Sequence, residues 1–462
     1  MKLFDASFVQ RREYMLYRLR DDHYPYNMQQ YFEINHYDEE KFKAFLTSMI
    51  RRHQILRTNL NVLDGQLKQV VRDAETFEIR FQYFDLREET ETVKISFFDK
   101  HKAFQKSQTF NLERGPLFRV VVFSVEAALH IVLVTGHHVL FDDHSLKIFN
   151  QELNFYYAAA ESTADMNEPV QYHEFSEWEG KLLRTDLGKD YRNFFNRQLV
   201  NGVPLFKMVS SERNNKHLET YLNTVSQIKK QMEELPFKDY DVVAPVARRI
   251  HFSDGGMITL KFSSVIHDEI WELSKKQKVT LTAIFIGLFV KSLHHLSGQN
   301  RFVVDIPVSH RHSRKFQNTI GWLALQGLCF IDIGSGMSDS EIFTHTDARL
   351  YELYEHGVYP YESVGSHLNP PVGGDIPIFF NLSHMDSEQL TVESENPVQI
   401  KYGVDVFQQM ALFAYWHPNG IRFELAYNNF LFNADQLAQL AAEYKKNIME
   451  CNQSLKSNYE EV

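Results

Sequence analysis

Cysteine is nearly absent from this chain of 462 residues, which has only Cys329 and Cys451. Two cysteines exclude a disulfide framework and a cysteine-rich zinc site, and they fit a reducing, cytoplasmic compartment. Glycine and proline are sparse as well, at 20 and 13 residues, which excludes collagen-like and low-complexity sequence. Positive charge is in deficit: 49 Lys and Arg face 60 Asp and Glu, a net charge of -11, so a nucleic-acid backbone is repelled on average and is not expected as a partner. Long apolar runs are missing too. The longest, near Leu129–Val134 and Ala283–Val290, fall far short of the roughly 20 residues that span a bilayer. The start, Met1-Lys2-Leu3-Phe4-Asp5, has no apolar core of signal-peptide length. These absences predict a cytoplasmic protein with no membrane and no nucleic-acid partner.

Aromatic residues are plentiful, with 37 Phe, 22 Tyr and 4 Trp, ample material for a large core. Helix-like and strand-like segments alternate, which predicts an α/β or α+β architecture. Phe42, Phe45, Leu46, Met49, Ile50 and Leu56 recur at helical spacing over Lys41–Arg57. Leu117–Val125 and Leu129–Thr135 are short and rich in Val, Ile and Leu, as buried strands are. Helical period returns over Ser145–Ala160, with Leu146, Phe149 and Leu153 on one side. Ser210–Leu235 is polar and reads as an exposed, partly helical connector. Beyond it the pattern predicts a strand at Ile258–Phe262, one helix over Ser264–Leu296 and a strand at Arg301–Val308. Strands are predicted at Ile376–Leu382, Val406–Trp416 and Arg422–Tyr427, and a last helix at Ala434–Cys451. The pattern divides into lobes over 1–180 and 181–462, the second with a polar insertion near 210–247.

The segment that carries chemistry is Gly136-His137-His138-Val139-Leu140-Phe141-Asp142-Asp143-His144-Ser145, placed between an apolar strand and a helix. A strand end that opens onto a helix delivers side chains to a cleft, and histidine can take a proton from a nucleophile near neutral pH. Asp142 could accept a hydrogen bond from an imidazole or pair with an arginine to hold the loop. The pattern alone leaves a second reading open, in which the histidines merely end a strand and Asp142, Asp143 and Ser145 cap a helix. His137, His138, Asp142 and His144 are also possible metal ligands. Adjacent histidines on a strand point to opposite faces, and no HExxH or spaced Cys/His set accompanies them, so no metal is expected. The His294-His295 pair ends a long apolar-periodic helix, where the helix dipole favours histidine. The chain has no Gly-x-Ser-x-Gly, phosphate loop or GxGxxG after a strand, so an enzyme built on it would activate a substrate nucleophile rather than use its own.

The stretch His137-His138-Val139-Leu140-Phe141-Asp142 resembles the HHxxxD core of the condensation domains of nonribosomal peptide synthetases. Other stretches resemble that family's motifs in the same order: Arg52-His53-Gln54-Ile55-Leu56-Arg57-Thr58, then Phe110 to Arg119, Tyr172 to Trp178, Leu296-Ser297-Gly298-Gln299 with Phe302-Val303-Val304, and Ile320-Gly321-Trp322. Tyr359-Pro360-Tyr361-Glu362 and Phe380-Asn381-Leu382 complete the series, so the likeness covers essentially the whole chain. The resemblance implies two chloramphenicol-acetyltransferase-like lobes in a V, with an active-site tunnel between them reached by phosphopantetheine arms of carrier proteins. It implies catalysis by His138 with His137 in support. Asp142 would be structural, paired with Arg52 or Arg57, and Asp143, Trp322, Asn381 and Ser309 would line the substrate path.

Three departures from the family stand out. Asp143 occupies a position where the family usually has Gly; Leu325 and Phe330 replace an Asn and an Arg; and the polar stretch around Arg213–Pro245 is long for the family. An Asp-Asp at this place also occurs in degenerate, cytochrome-recruiting members, which usually lose the second histidine that is kept here. No adenylation or carrier motif is recognisable, which reads as a stand-alone, monomeric condensation enzyme. It would bind no cofactor of its own. Acyl or peptidyl carrier proteins would deliver its donor in trans on 4'-phosphopantetheine, and an amine, carrier-bound or free and small, would accept it. The alternatives are an ester-forming acyltransferase with an alcohol acceptor, a non-catalytic partner-recruiting module and an epimerising relative.

Overall fold

The computed structural model describes residues 2–19, 26–158, 167–199, 211–243, 246, 255–357, 378–384, 399–404, 410–429 and 431–457. The Tyr359–Glu362 motif and the first part of the expected strand Val406–Trp416 lie outside the described residues. The chain forms two compact units. The first comprises Met1–Thr185, Gln231–Asp239 and Ser309–Leu325; the second comprises Asp186–Lys230, Tyr240–Val308 and Gln326–Val462. Where the sequence pattern puts a single break near residue 180, two later segments return to the first unit. The return of 309–325 has a clear cause, because Arg311 and Leu323 from that segment bond the side chain of Asp142.

In the first unit, β1 (Lys2–Asp5), β3 (Thr58–Leu63) and β4 (Gln66–Val71) form a three-stranded sheet in the order β1-β4-β3. A four-stranded sheet has the order β2-β7-β6-β5, from β2 (Asn27–Asn35), β5 (Arg80–Asp85), β6 (Phe118–Ser124) and β7 (Leu129–His137). Every residue of β6 is buried, which explains its unbroken apolar run. α1 (Phe8–Leu19), α2 (Glu39–Arg52), α3 (Glu91–Ser107), α4 (Asp143–Ala158) and α5 (Tyr172–Leu182) complete the unit. α2 buries the stripe Phe42, Phe45, Leu46, Met49 and Ile50, and Asp38 caps it by accepting from the Lys41 amide at 2.7 Å. The expected helix to Arg57 stops at Arg52, because His53 is extended (φ -110°, ψ 98°) and a separate 3-10 turn covers Gln54–Arg57.

In the second unit a seven-stranded sheet runs β10-β9-β11-β13-β14-β8-β12. Its strands are β8 (Gly255–Ser263), β9 (Arg301–Ser309), β10 (Ala324–Asp332), β11 (Ile378–His384), β12 (Gln399–Val404), β13 (Met410–His417) and β14 (Gly420–Asn428). The helices are α6 (Asp186–Gln198), α7 (Ser211–Glu233), α8 (Ser264–Gln277), α9 (Leu281–Ser297), α10 (Asp339–His356) and α11 (Ala434–Ser457). The polar stretch after residue 210 is one 23-residue helix, α7, which buries Ile228 and Met232. The single helix expected over Ser264–Leu296 is two, α8 and α9, meeting at 102°. No Gly or Pro marks the break. Lys278 ends α8 in the left-handed region (φ 55°), Thr280 caps α9 through its side chain, and the Asp347 carboxylate takes the Thr280 amide at 3.0 Å and hydroxyl at 2.8 Å. Among the described residues no single helix is long and apolar enough to cross a membrane, and α9, the most apolar, is buried in the core of its unit.

Candidate active site

The site starts from β7, the partner of both β2 and β6, whose last residue His137 faces Asn27 in register. Gly136 is required just before it: a Cβ there would stand 2.4 Å from the Phe141 ring, which folds back under the strand end. The chain then turns through Val139–Asp142, all four side chains buried, into α4. His137 is 6% exposed, its Nδ1 accepts the Val139 amide at 3.2 Å, and burial pushes its pKa down to about 3, so its ring is neutral.

His138 is the more open of the two. Its amide donates to the Tyr26 carbonyl at 2.8 Å. Its ring is stacked on Trp322, with centroids 3.7 Å apart and planes inclined by 23°, and lies 4.9 Å from the Tyr26 ring. Nδ1 is buried and, among the described residues, has no partner beyond its own backbone carbonyl. A proton on Nδ1 leaves Nε2 as the lone-pair nitrogen. Burial lowers the pKa of His138, while its own carbonyl and the carboxylates of Glu13, Asp142 and Asp143 raise it in part. The outcome is an imidazole kept neutral, as a base must be before it acts.

Asp142 anchors the loop. Its Oδ1 accepts the Ser145 amide (2.9 Å) and hydroxyl (2.7 Å), and its Oδ2 accepts the Leu323 amide (3.0 Å) and Arg311 Nη1. Burial alone would raise its pKa, but the Arg311 charge and these donors outweigh burial and hold it low. Arg311 Nη2 also donates to the carbonyls of Thr319 (2.9 Å) and Gly321 (3.1 Å), tying the loop to the segment that carries Trp322. Gly321 has no alternative there, since a Cβ would lie 2.0 Å from the Tyr172 ring, whose hydroxyl donates to the Trp322 carbonyl at 3.0 Å.

The expected pairing of Asp142 with Arg52 or Arg57 is therefore corrected. Arg52 pairs with Glu152 at 3.2 Å, beside His53, whose Nε2 meets the same carboxylate at 2.9 Å. Arg57 donates to the carbonyls of Ile50 (3.0 Å) and Arg72 (2.6 Å). Both arginines of that motif brace α2 and the turn after it, so neither is available to Asp142. Asp143, at the first position of α4, is exposed, yet nearby protein raises its pKa by desolvation while the charge of His138 lowers it. His144 is exposed, with Nε2 3.2 Å from the Gln317 carbonyl. Ser309 accepts the Arg311 amide at 3.3 Å and so caps the turn that carries Arg311. Asn381 lies on β11 in the second unit, where its amide donates to the Ser383 hydroxyl at 3.2 Å. Among the described residues no three His, Cys, Asp or Glu side chains gather as a metal site.

Sequence reasoning missed Arg311, Tyr26 and the α1 pair Arg12–Glu13, which stand at the same site. Arg311 follows the matched Phe302-Val303-Val304 stretch by seven residues, and the need of a buried aspartate for an arginine was the one signal that could have led to it.

Two α/β units and a strand-borne histidine pair over an Arg-held aspartate make a protein with the chloramphenicol-acetyltransferase-like fold. The chain belongs to the condensation-domain family, whose profile matches residues 3–462. Among curated relatives, it is 22% identical to Tyrocidine synthase 3 of Brevibacillus parabrevis over 454 residues, covering 96% of this chain and 6% of that protein. It is 23% identical to Bacitracin synthase 1 of Bacillus licheniformis over 447 residues, covering 95% of this chain and 8% of that one. The chain thus spans a small part of the length of these relatives. Among solved structures, the condensation domain of the Monacolin K polyketide synthase MokA is similar at a TM-score of 0.75 and 12% identity, with 98% of each chain covered.

Proposed function

We propose that this condensation domain forms an amide by transferring an acyl or aminoacyl group from a carrier-protein phosphopantetheine thioester to an amine. The observation that carries the reading is His138: an imidazole that burial keeps neutral, fixed by the stack on Trp322 and presented by a loop that Asp142 and Arg311 hold. Kinship with condensation domains of nonribosomal peptide synthetases supports the thioester donor.

In this reading the acceptor nitrogen attacks the thioester carbonyl while His138 orients it and takes its proton. The tetrahedral intermediate collapses, the C–S bond breaks, and the thiol leaves with the proton. His137 supports the strand end, and Trp322 and Asp143 face the substrates. The domain acts as a cytoplasmic monomer, with carrier proteins supplied in trans and no cofactor of its own.

The test is mass spectrometry of loaded carriers offered matched amine and hydroxyl acceptors. Amide formation, lost in His138→Ala, supports the reading. Ester formation alone points to an alcohol acceptor, and deuterium washout at the α-carbon points to epimerisation. No turnover with any carrier, together with capture of a tailoring enzyme, points to a recruiting module and overturns it.

A further inference from the structure

Residues 319–323, which carry Trp322, belong to no helix or strand, so a regular ladder of amides and carbonyls does not set their path. Side chains set it instead. Arg311 donates to the carbonyls of Thr319 and Gly321, the Gly321 amide donates to the Ser145 hydroxyl at 3.1 Å, and the Leu323 amide donates to Asp142. Those three side chains also anchor the His138 loop. One further bond comes from α5. Tyr172, 1% exposed, donates its hydroxyl to the Trp322 carbonyl at 3.0 Å. With its proton on that carbonyl, the hydroxyl accepts from Ser7 Oγ at 2.8 Å. Burial raises the pKa of Tyr172, so the hydroxyl stays a donor at any working pH. The Tyr172 ring packs on Gly321 with no room for a Cβ, so both its ring and its hydroxyl bear on the residues 321 and 322. The indole of Trp322 donates from Nε1 to the Ala324 carbonyl at 2.7 Å and stacks on His138 at 3.7 Å. Direct contacts therefore run from Tyr172 through Trp322 to His138, all within the first unit.

We propose that Tyr172 is a positioning residue for the reaction: by holding the Trp322 carbonyl it sets the plane of the indole and, through the stack, the angle at which His138 meets the acceptor. The proposal rests on the base role given to His138 above. Trp322 is only 6% exposed, and a buried carbonyl stripped of its donor turns toward another. The peptide that turns carries the indole with it, because no strand neighbour restrains it. The lone pair of Nε2 lies in the imidazole plane, so a tilted stack points the base away from the N–H proton it must take. The hydroxyl of Tyr172 is separable from the loop anchor, since Asp142, Ser145 and Arg311 keep their mutual bonds without it.

The experiment is 19F NMR of the protein labelled with 5-fluorotryptophan, with the Trp322 signal identified by its loss in Trp322→Leu and with kcat and KM measured on the same samples. In Tyr172→Phe, which removes the hydroxyl and keeps the ring, the Trp322 signal shifts, kcat per folded molecule falls about tenfold and KM holds. Because Tyr172→Phe leaves the Ser7 hydroxyl buried without its acceptor, the paired variant Ser7→Ala/Tyr172→Phe is measured as well and shows the same changes. A Trp322 signal at its wild-type position in the folded variants overturns the proposal, and so does a shifted signal with wild-type kcat. Wild-type turnover in His138→Ala instead removes the base role itself, and the Trp322 signal still decides whether Tyr172 holds the stack.

Discussion

Asp142 and Glu179 are both buried carboxylates of the first unit, 4% exposed each, and the fold drives them in opposite directions. Asp142 receives a guanidinium, two amides and a hydroxyl, and its pKa falls despite burial. Glu179, on α5, receives one amide, that of Phe8 at 2.8 Å at the start of α1, while its Oε1 is buried with no partner among the described residues. Burial therefore wins there and lifts its pKa to about 7, with the Phe8 amide and the charge of Arg11 pulling weakly the other way. Burial alone does not set charge; the number and sign of the donors do. The loop beneath His138 is held by a permanent charge pair, and the seam between α1 and α5 by an acid that titrates near neutrality. Glu152 falls between them, since burial raises its pKa but His53 and Arg52 lower it further.

Variants can move each carboxylate toward the condition of another. Arg311→Met gives Asp142 what Glu179 has, burial without a cation, and has the largest expected effect: about 3–5 kcal/mol of stability by chemical denaturation. Its acid limb follows by sign. The lowered pKa of Asp142 adds stability above its unfolded value of 3.8 that is lost as pH falls further, and Arg311→Met flattens that limb.

Glu179→Gln works in the other direction. Folding raises the pKa of Glu179 from 4.5 to about 7, so between those values the folded protein keeps a proton that the unfolded chain has released. Its contribution is complete below pH 4.5 and lost as pH rises through 7. Glu179→Gln removes this dependence, making the variant relatively more stable at pH 8 than at pH 4, by up to about 3 kcal/mol in paired melts.

Glu152→Gln weakens the contacts with Arg52 and His53 and costs about 2 kcal/mol, with turnover per folded molecule unchanged because the triad braces α2 rather than His138. A matching loss of turnover would erase the distinction between the two arginine sites. The smallest stability effect is for Trp322→Leu, about 1 kcal/mol from the lost stack on His138, although turnover falls further as the ring loses its fixed position.

Much of this site was legible in the sequence. His137, His138 and Asp142 form one contiguous stretch, and the need for an arginine followed from a buried aspartate. Which arginine was not legible, because Arg311 reaches Asp142 across 169 positions through a tertiary contact that no local pattern records. Glu13 was hidden for a related reason: a charged residue on an amphipathic helix reads as part of its wet face, and only packing shows that it is dry. In the fold, the sheet strands showed in their apolar runs, while the break between α8 and α9 did not. It is made by Lys278 in a left-handed conformation and by Asp347 on a later helix, and neither carries a breaker's signature.

His138, carried by the loop that Asp142 and Arg311 hold, is the group proposed to take the acceptor's proton. Its most direct test is single-turnover transfer from a loaded carrier protein to an amine, comparing wild type with His138→Ala at matched folded concentration. The expected result is a rate lower by about 100-fold or more with an unchanged melting temperature. Near wild-type transfer by a folded His138→Ala protein would contradict the account.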